Sequence, residues 1–82
     1  MAWYLYLARC ADGTLYTGVT TDPSKRIASH NAGRGSKYVR SRGAAVLAYV
    51  EPCASRSAAQ RREREVQSWT RQRKLAFVSK QR

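Results

Sequence analysis

Acidic side chains are scarce in this sequence. Its 82 residues include 5 aspartates and glutamates, against 16 lysines and arginines. Two of the five, Asp12 and Asp22, are expected to serve in a turn and a helix cap. A centre with two catalytic metal ions needs several convergent carboxylates. The sequence therefore excludes such a centre, and any catalytic metal site here is expected to hold one ion.

Cysteines, prolines and long apolar runs are also rare. Cys10 and Cys53 have no Cys-x-x-Cys spacing and no nearby histidine, so neither a zinc knuckle nor a disulfide framework is indicated. We expect both to be apolar side chains of a reduced, cytoplasmic protein. No signal peptide and no apolar run of about 18 residues is present. Two prolines and 43% hydrophobic residues argue against disorder, and the length suits one domain over residues 1–82.

The charge is strongly one-sided. The formal net charge is +11, and a charge of this density destabilises the fold unless a polyanion relieves it. Nucleic acid and an acidic membrane surface are the two candidate partners. A membrane-binding helix would carry a continuous face of large apolar residues, whereas the basic helices here carry mostly alanine. Nucleic acid is therefore favoured over a membrane.

Two strands joined by a tight turn are predicted near the start of the chain. Residues 3–9 and 14–20 are rich in aromatic, aliphatic and β-branched side chains, which is typical of strands. Between them, Ala11-Asp12-Gly13 fits a three-residue hairpin loop in which a type I turn is closed by a left-handed glycine.

The length of this loop sets the pairing across the hairpin. It pairs Tyr6 with Gly18 and Ala8 with Tyr16, so both tyrosines and Gly18 share one face of the sheet. A two-residue turn would instead place the two tyrosines on opposite faces.

The remaining segments predict three helices and one more strand. Asp22 is the expected cap of a first helix that starts at Pro23, runs to about Ala32 and stops at Gly33. A third strand follows over residues 45–51.

Pro52 is expected to end that strand. Ser57 opens a capping box for a helix over roughly 57–69, and Thr70 caps a short last helix. The order β-β-α-β-α-α predicts an α+β fold with a small, three-stranded, largely antiparallel sheet flanked by helices.

Short tyrosine motifs lie on the two predicted strands, Tyr4-Leu5-Tyr6 on the first and Tyr16-Thr17-Gly18 on the second. The next helix carries Arg26 and His30 on one face, and a later helix carries Glu63. In this order and spacing they resemble the GIY-YIG nuclease family over nearly the whole chain. The similarity is closest to its small stand-alone bacterial members, and it extends to the GIY-YIG catalytic domain of the excision-repair nucleases.

The resemblance implies a metal-dependent endonuclease with a centre of five residues, Tyr6, Tyr16, Arg26, His30 and Glu63. Arg26 would hold a phosphate oxygen, and one Mg²⁺ or Mn²⁺ ion would be held by Glu63. The general base stays open between Tyr6, Tyr16 and His30. A tyrosine needs a lowered pKa for this role, and we expect Arg26 and the metal to lower it.

Helical periodicity does not choose between Glu63 and Glu65, which flank the apolar stripe of their helix on opposite edges. The family pattern favours Glu63, because it precedes an aliphatic residue, Val66, by three positions.

The predicted partner is nucleic acid, with DNA favoured over RNA, and contacts are expected from five side chains, Lys25, Arg34, Lys37, Tyr38 and Arg62. Repair or structure-selective processing is the role that the resemblance implies, since the family includes excision-repair and junction-cutting nucleases. The rival interpretation is a nucleic-acid-binding module of the same fold that cuts weakly, not at all, or only with a partner. A basic adaptor for other proteins is a third interpretation, and the sequence leaves a protein partner or homodimer open.

Overall fold

Three strands form an antiparallel sheet in the computed structural model, which describes residues 2–34 and 44–80. They are β1 (Trp3–Cys10), β2 (Leu15–Thr20) and β3 (Ala45–Cys53), in the spatial order β2-β1-β3. The central strand is thus the first in sequence, and it pairs antiparallel with both neighbours. The predicted α+β fold and its element order are confirmed.

The hairpin between β1 and β2 has the predicted turn. Gly13 has a φ of 86°, in the left-handed region that favours glycine. Its N–H donates to the Cys10 carbonyl at 2.9 Å, and the Cys10 N–H donates to the Thr14 carbonyl at 2.9 Å. Tyr6 pairs with Gly18, and Ala8 pairs with Tyr16. The predicted register is therefore confirmed, and the tyrosines share a face.

Both faces of β1 are buried, each under different helices. On one face, Leu5 and Leu7 are fully buried against Val66 of helix α2 (Arg56–Gln67), and helix α3 (Arg71–Lys80) packs over the same cluster. On the other face, Tyr6 belongs to a second cluster covered by Ile27 of helix α1 (Pro23–Ser29). Complete burial of a leucine side chain stabilises a fold by roughly 1.5–3 kcal/mol, so this central strand anchors both layers.

Helix α1 starts as predicted but ends differently. The Asp22 side chain accepts a hydrogen bond from the Lys25 N–H at 3.0 Å, and Pro23 occupies the first turn. Instead of stopping at Gly33, the chain widens into a π-helical turn over His30–Arg34. Such turns are rare and are frequent at functional sites.

The π-helical turn is tied to the first residue of β3 by the Asn31 side chain. Asn31 Nδ2 donates to the Ala45 carbonyl at 2.9 Å, and Asn31 Oδ1 accepts the Ala45 N–H at 2.8 Å. The amide thus matches a main-chain donor and acceptor together, as a neighbouring strand would. This contact gives a physical reason why the wider turn replaces a simple helix end.

The later helices differ from prediction mainly in one cap. Ser55, and not Ser57, caps α2, because its hydroxyl accepts the Ala58 N–H at 3.1 Å. Thr70 caps α3 as expected, accepting the Arg73 N–H at 3.1 Å. No helix in the described parts of the chain has the length and apolar character needed to span a membrane.

Strand β3 continues two residues beyond its predicted end. Pro52 does not break it but pairs with Tyr4 of β1. Proline lacks a donor N–H and is tolerated in a sheet on an edge strand, which is the position of β3.

We expect Asn31→Ala to destabilise the fold by about 1–3 kcal/mol, because a buried donor and acceptor of Ala45 would lose their partner. Urea unfolding followed by circular dichroism measures the change. Ser24→Ala, at an exposed site on α1, is the control and should stay within about 0.5 kcal/mol. Equal unfolding midpoints for the two variants would contradict the role given to Asn31.

Candidate active site

Tyr6 lies at the centre of the candidate site and depends on the absence of a side chain at its partner position. Its side chain is 2% exposed. A Cβ atom added to Gly18 would lie 2.5 Å from the Tyr6 hydroxyl oxygen and 2.6 Å from its Cζ. No ordinary side chain fits at that separation, so glycine at position 18 is what allows the Tyr6 ring to lie across β2.

Two further predicted residues contact Tyr6. The Tyr16 ring lies beside it, with centroids 6.2 Å apart and planes at 41°. Arg26, on α1, is near enough for its guanidinium to lower the pKa of the Tyr6 hydroxyl. The structure therefore brings together residues of β1, β2 and α1 that the sequence motifs marked separately.

Glu63 reaches the same site from α2. Its side chain is half-buried, and its charge acts directly on Tyr6. Glu65 instead is exposed and accepts a hydrogen bond from Arg62 Nη1 at 2.8 Å. Helical periodicity does not distinguish these two glutamates, but the structure does. Of the two, Glu63 is the one whose charge acts on Tyr6.

Burial raises the pKa of Tyr6 above its ordinary value of 10.0, and the charges of Tyr16 and Glu63 raise it further. The charge and hydrogen bond of Arg26 lower this pKa, but they do not outweigh burial. Arg26 thus acts on Tyr6 in the expected direction, and the further lowering expected from a metal ion stays a prediction. At neutral pH, Tyr6 carries its proton.

His30 is the first residue of the π-helical turn, one helical turn after Arg26. It is 7% exposed, and its main-chain N–H bonds to the Arg26 carbonyl. Its neighbour Asn31 holds this turn against β3. The position of His30 is therefore fixed by main-chain and neighbouring contacts, and a role in proton transfer stays a prediction.

A shallow groove of about 220 Å³ opens beside Arg26, between the end of β2 and α1. It brings two of the predicted cations to one place. Arginine and lysine side chains are the usual contacts for phosphate groups, so this groove suits an approaching phosphate. Its lining consists of Thr20, Thr21, Asp22, Lys25, Arg26 and Ser29.

Four of the five carboxylates are already engaged within the protein. Asp12 and Asp22 accept main-chain N–H groups in the turn and the helix cap. Glu51 and Glu65 are ion-paired with Arg62. Glu63 has no hydrogen bond or ion pair with residues 2–34 and 44–80, so within this part of the chain it is the carboxylate that could bind a cation.

The donor set at this position fits a hard cation held mainly by water. Among residues 2–34 and 44–80, no group of three or more histidines, cysteines or acids could enclose a metal ion. One carboxylate with water ligands is a common arrangement for Mg²⁺, which keeps much of its hydration shell. Glu63 is therefore the residue that would hold a divalent ion here.

The Arg62 side chain is engaged in contacts within the protein. Its Nε lies 3.0 Å from Glu51 Oε2 on β3, and its guanidinium also binds Glu65. It stacks over the rings of Trp69 and Phe77, at 5.3 and 5.8 Å. With 24% of its side chain exposed, Arg62 joins α2 to the sheet, and its predicted contact with nucleic acid would compete with these partners.

The Glu51 carboxylate has a second partner. The Tyr49 hydroxyl donates to Glu51 Oε1 at 2.7 Å, and burial together with this carboxylate raises the pKa of Tyr49 to about 12. Tyr49 also packs edge-to-face on Phe77 of α3, with centroids 4.8 Å apart. Glu51 is therefore joined to α2 through Arg62, and its neighbour Tyr49 packs on α3.

The other predicted nucleic-acid contacts divide into two groups. Lys25 is exposed on α1 and lines the groove beside Arg26. Arg34 ends the π-helical turn, where its backbone is described. Lys37 and Tyr38 lie outside the described residues, so their contacts stay predictions.

Two residues that support the site were missed in the sequence. Asn31 reads as an ordinary residue near a helix end, and Glu51 as the end of a strand. Each acts on an element distant in sequence, Asn31 on β3 and Glu51 on α2. No local pattern marks such contacts, and the one available signal is that buried main-chain and charged groups need partners.

A family model described as "GIY-YIG catalytic domain" matches residues 2–76. Together with the fold and the tyrosine hairpin, this match shows that the chain belongs to the GIY-YIG family, a class of nuclease domains. Within that family it is similar to proteins of the UPF0213 group. One from Staphylococcus haemolyticus is 48% identical over 75 residues, covering 92% of each chain. One from Desulfotalea psychrophila is 46% identical over 78 residues, covering 94% of this chain and 71% of the other.

A solved structure supports the fold as well. The solution NMR structure of a UPF0213 protein from Bacillus halodurans is 42% identical, with a TM-score of 0.61. The similarity covers 96% of this chain and 84% of the other. The small stand-alone architecture predicted from the motifs is therefore shared by this relative.

We expect Glu63→Gln to lower the pKa of Tyr6, because a nearby negative charge favours the neutral phenol. Arg26→Gln should raise it, because a positive charge and a hydrogen bond to the phenolate are lost. NMR titration of tyrosine Cζ resonances between pH 8 and 12 or so measures both changes. Glu65→Gln removes the same charge from the same helix and should leave Tyr6 unchanged. An unshifted Tyr6 in the Glu63 variant would refute the proposed proximity.

We expect Arg62→Gln to lower the free energy of unfolding by about 1–3 kcal/mol, because charged hydrogen bonds and ring contacts are lost. The salt dependence of nucleic-acid binding should not change. Arg61→Gln, on the exposed side of α2, should stay within about 0.5 kcal/mol of the parent in stability. A flattened salt dependence for the Arg62 variant with unchanged stability would show instead that Arg62 binds phosphate.

Proposed function

We propose that this protein is a metal-dependent endonuclease that hydrolyses phosphodiester bonds, with DNA as its favoured substrate. The observation that carries the proposal is the convergence of Tyr6, Tyr16, Arg26 and Glu63 from four different elements, in a chain of the GIY-YIG family. Repair or structure-selective processing is the proposed role.

The side chains divide the chemistry by position. Arg26 is exposed beside the groove and keeps its charge at any working pH, so it would bind a non-bridging phosphate oxygen. Because the same guanidinium acts on the Tyr6 hydroxyl, a phosphate bound by Arg26 would lie near the tyrosine. Such alignment of reacting groups supplies a large part of the rate in phosphoryl chemistry.

Glu63 would hold one divalent ion, Mg²⁺ or Mn²⁺, which when bound stabilises charge on the phosphate and the leaving oxygen. The Glu63 charge also helps to keep the proton on Tyr6. When that charge is compensated, Tyr6 loses one of the contributions that raise its pKa. This contribution is smaller than that of burial, so Tyr6, Tyr16 and His30 remain the three candidates for the proton acceptor, and variants separate them.

Substrate binding is proposed to depend on the backbone more than on base sequence. The net charge of +11 and the cationic groove favour phosphate contacts, which carry little sequence information. A preference among flaps, branches and duplexes would then reflect the shape of the substrate.

One observation favours the rival function of a nucleic-acid-binding module with weak or no cleavage. Burial raises the pKa of Tyr6 above its ordinary value, so the phenolate that would accept a proton is rarer at neutral pH than in a free tyrosine. A partner that completes the site would then be required for cutting. The two functions predict the same binding and differ in cleavage.

Incubation with single-stranded, duplex, flapped and branched DNA, in Mg²⁺, Mn²⁺ or chelator, tests the proposal. We expect cleavage that requires the metal, that falls about 10²–10⁴-fold in Tyr6→Phe and that is lost in Glu63→Gln. Glu65→Gln is the matched control and should cut like the parent protein.

Binding of the same substrates in chelator is measured in parallel. Cleavage that persists in Glu63→Gln would contradict the proposal that Glu63 binds the metal ion. Binding without cleavage on every substrate would favour the binding module.

A further inference from the structure

A second groove lies at the turn of the hairpin, apart from the Tyr6 site. It has a volume of about 280 Å³ and is formed where the β1–β2 turn meets the first turn of α3. These two segments are far apart in sequence. Its lining consists of Asp12, Thr14, Leu15, Arg71 and Lys74.

Arg71 is held in place by the turn itself. Its Nη2 donates to the Gly13 carbonyl at 2.9 Å. A main-chain carbonyl carries no net charge, so this contact orients the guanidinium without neutralising it. A guanidinium has five N–H donors in a rigid fork, and the remaining donors of an already oriented fork bind a ligand at a reduced entropic cost.

Lys74 adds a second cation to the same groove. It lies three residues after Arg71 on α3, and residues at this spacing share a helix face. Two like charges at such spacing repel each other, and the groove contains one carboxylate, Asp12, against them. The Asp12 Oδ1 atom already accepts the Thr14 N–H at 2.9 Å. The lining is therefore cationic by one charge and suited to an anion.

From these observations we infer that the groove is a second contact for the phosphate backbone of nucleic acid. The inference extends the proposed function and rests on nucleic acid being its ligand. Thr14 lies four residues before Gly18 on the hairpin, or about 13 Å at the rise of a strand. That distance equals about four phosphates at the 3.4 Å spacing of a strand in duplex DNA. The groove is formed by α3, which covers the Leu5 face of the sheet, whereas Tyr6 lies on the opposite face. A strand bound at both places would therefore pass around the edge strand β2 and span more than four nucleotides, and short strands would engage the Tyr6 site alone.

Binding of single-stranded oligonucleotides of about 4 and about 16 nucleotides, measured in chelator at several salt concentrations, tests this inference. The Glu63→Gln protein is the parent, so that no substrate is cut. Each phosphate contact to a single strand contributes about 0.7 to the slope of log affinity against log salt. We expect Arg71→Gln with Lys74→Gln to reduce the slope by about 1.4 for the long strand and to leave the short strand unchanged.

A matched pair, Arg61→Gln with Arg64→Gln, removes the same charge from exposed positions of α2. It should affect both strand lengths alike. Lys74→Gln alone breaks no described side-chain hydrogen bond and should reduce the long-strand slope by about 0.7. That variant keeps the test decisive if the Arg71 variant is unstable.

Equal effects of the two pairs, or an unchanged long-strand slope in the groove variants, would overturn the inference. If the wild-type protein cleaves DNA and such a result is obtained, the proposed role of the groove is wrong and the proposed nuclease function stands. If the groove variants lose long-strand binding and the wild-type protein cleaves no substrate, the groove binds nucleic acid and the proposed nuclease function is wrong.

Discussion

The left-handed backbone at Gly13 sets the pairing of β1 with β2, and the candidate site depends on that pairing. Side chains alternate between the faces of a strand, so a slip by one residue would move a whole set to the other face. With the observed turn, Tyr6 lies opposite Gly18 and shares its face with Tyr16. The same slip would carry Leu5 out of its buried cluster. One turn conformation therefore determines both the packing of the central strand and the position of the tyrosines.

Local chemistry made much of this predictable. The turn residues and the caps at Asp22 and Thr70 are short-range signals, and each is realised in the structure. What stayed hidden are contacts between elements distant in sequence. The Asn31 amide satisfies a main-chain pair on β3 and so joins the π-helical turn to the sheet. The pKa of Tyr6 likewise depends on how deeply β1 is buried, which the tyrosine motif alone does not specify.

The charged side chains of α2 have two different roles, one in holding the fold together and one in the candidate site. Arg62 binds Glu51 and Glu65 and lies over the rings of Trp69 and Phe77, and so ties α2 to β3. Glu63, the next residue along α2, is thereby held towards the tyrosines while its own carboxylate stays unpaired with described residues. The ion pairs of Arg62 thus lie on one side of α2, and the negative charge of Glu63 lies on another.

Pro52 has a consequence for how the molecule meets other copies of itself. An edge strand exposes unpaired main-chain groups and can act as a template for another chain, which is a route to aggregation. On β3, the proline contributes no N–H to such a template, and the extra residue at Ala48 bends the strand beside it. Val46 and Val50, two exposed apolar residues of this strand, therefore border an edge that resists growth by strand addition. A small basic protein can in this way remain dispersed at the high local concentrations that binding to a polyanion creates.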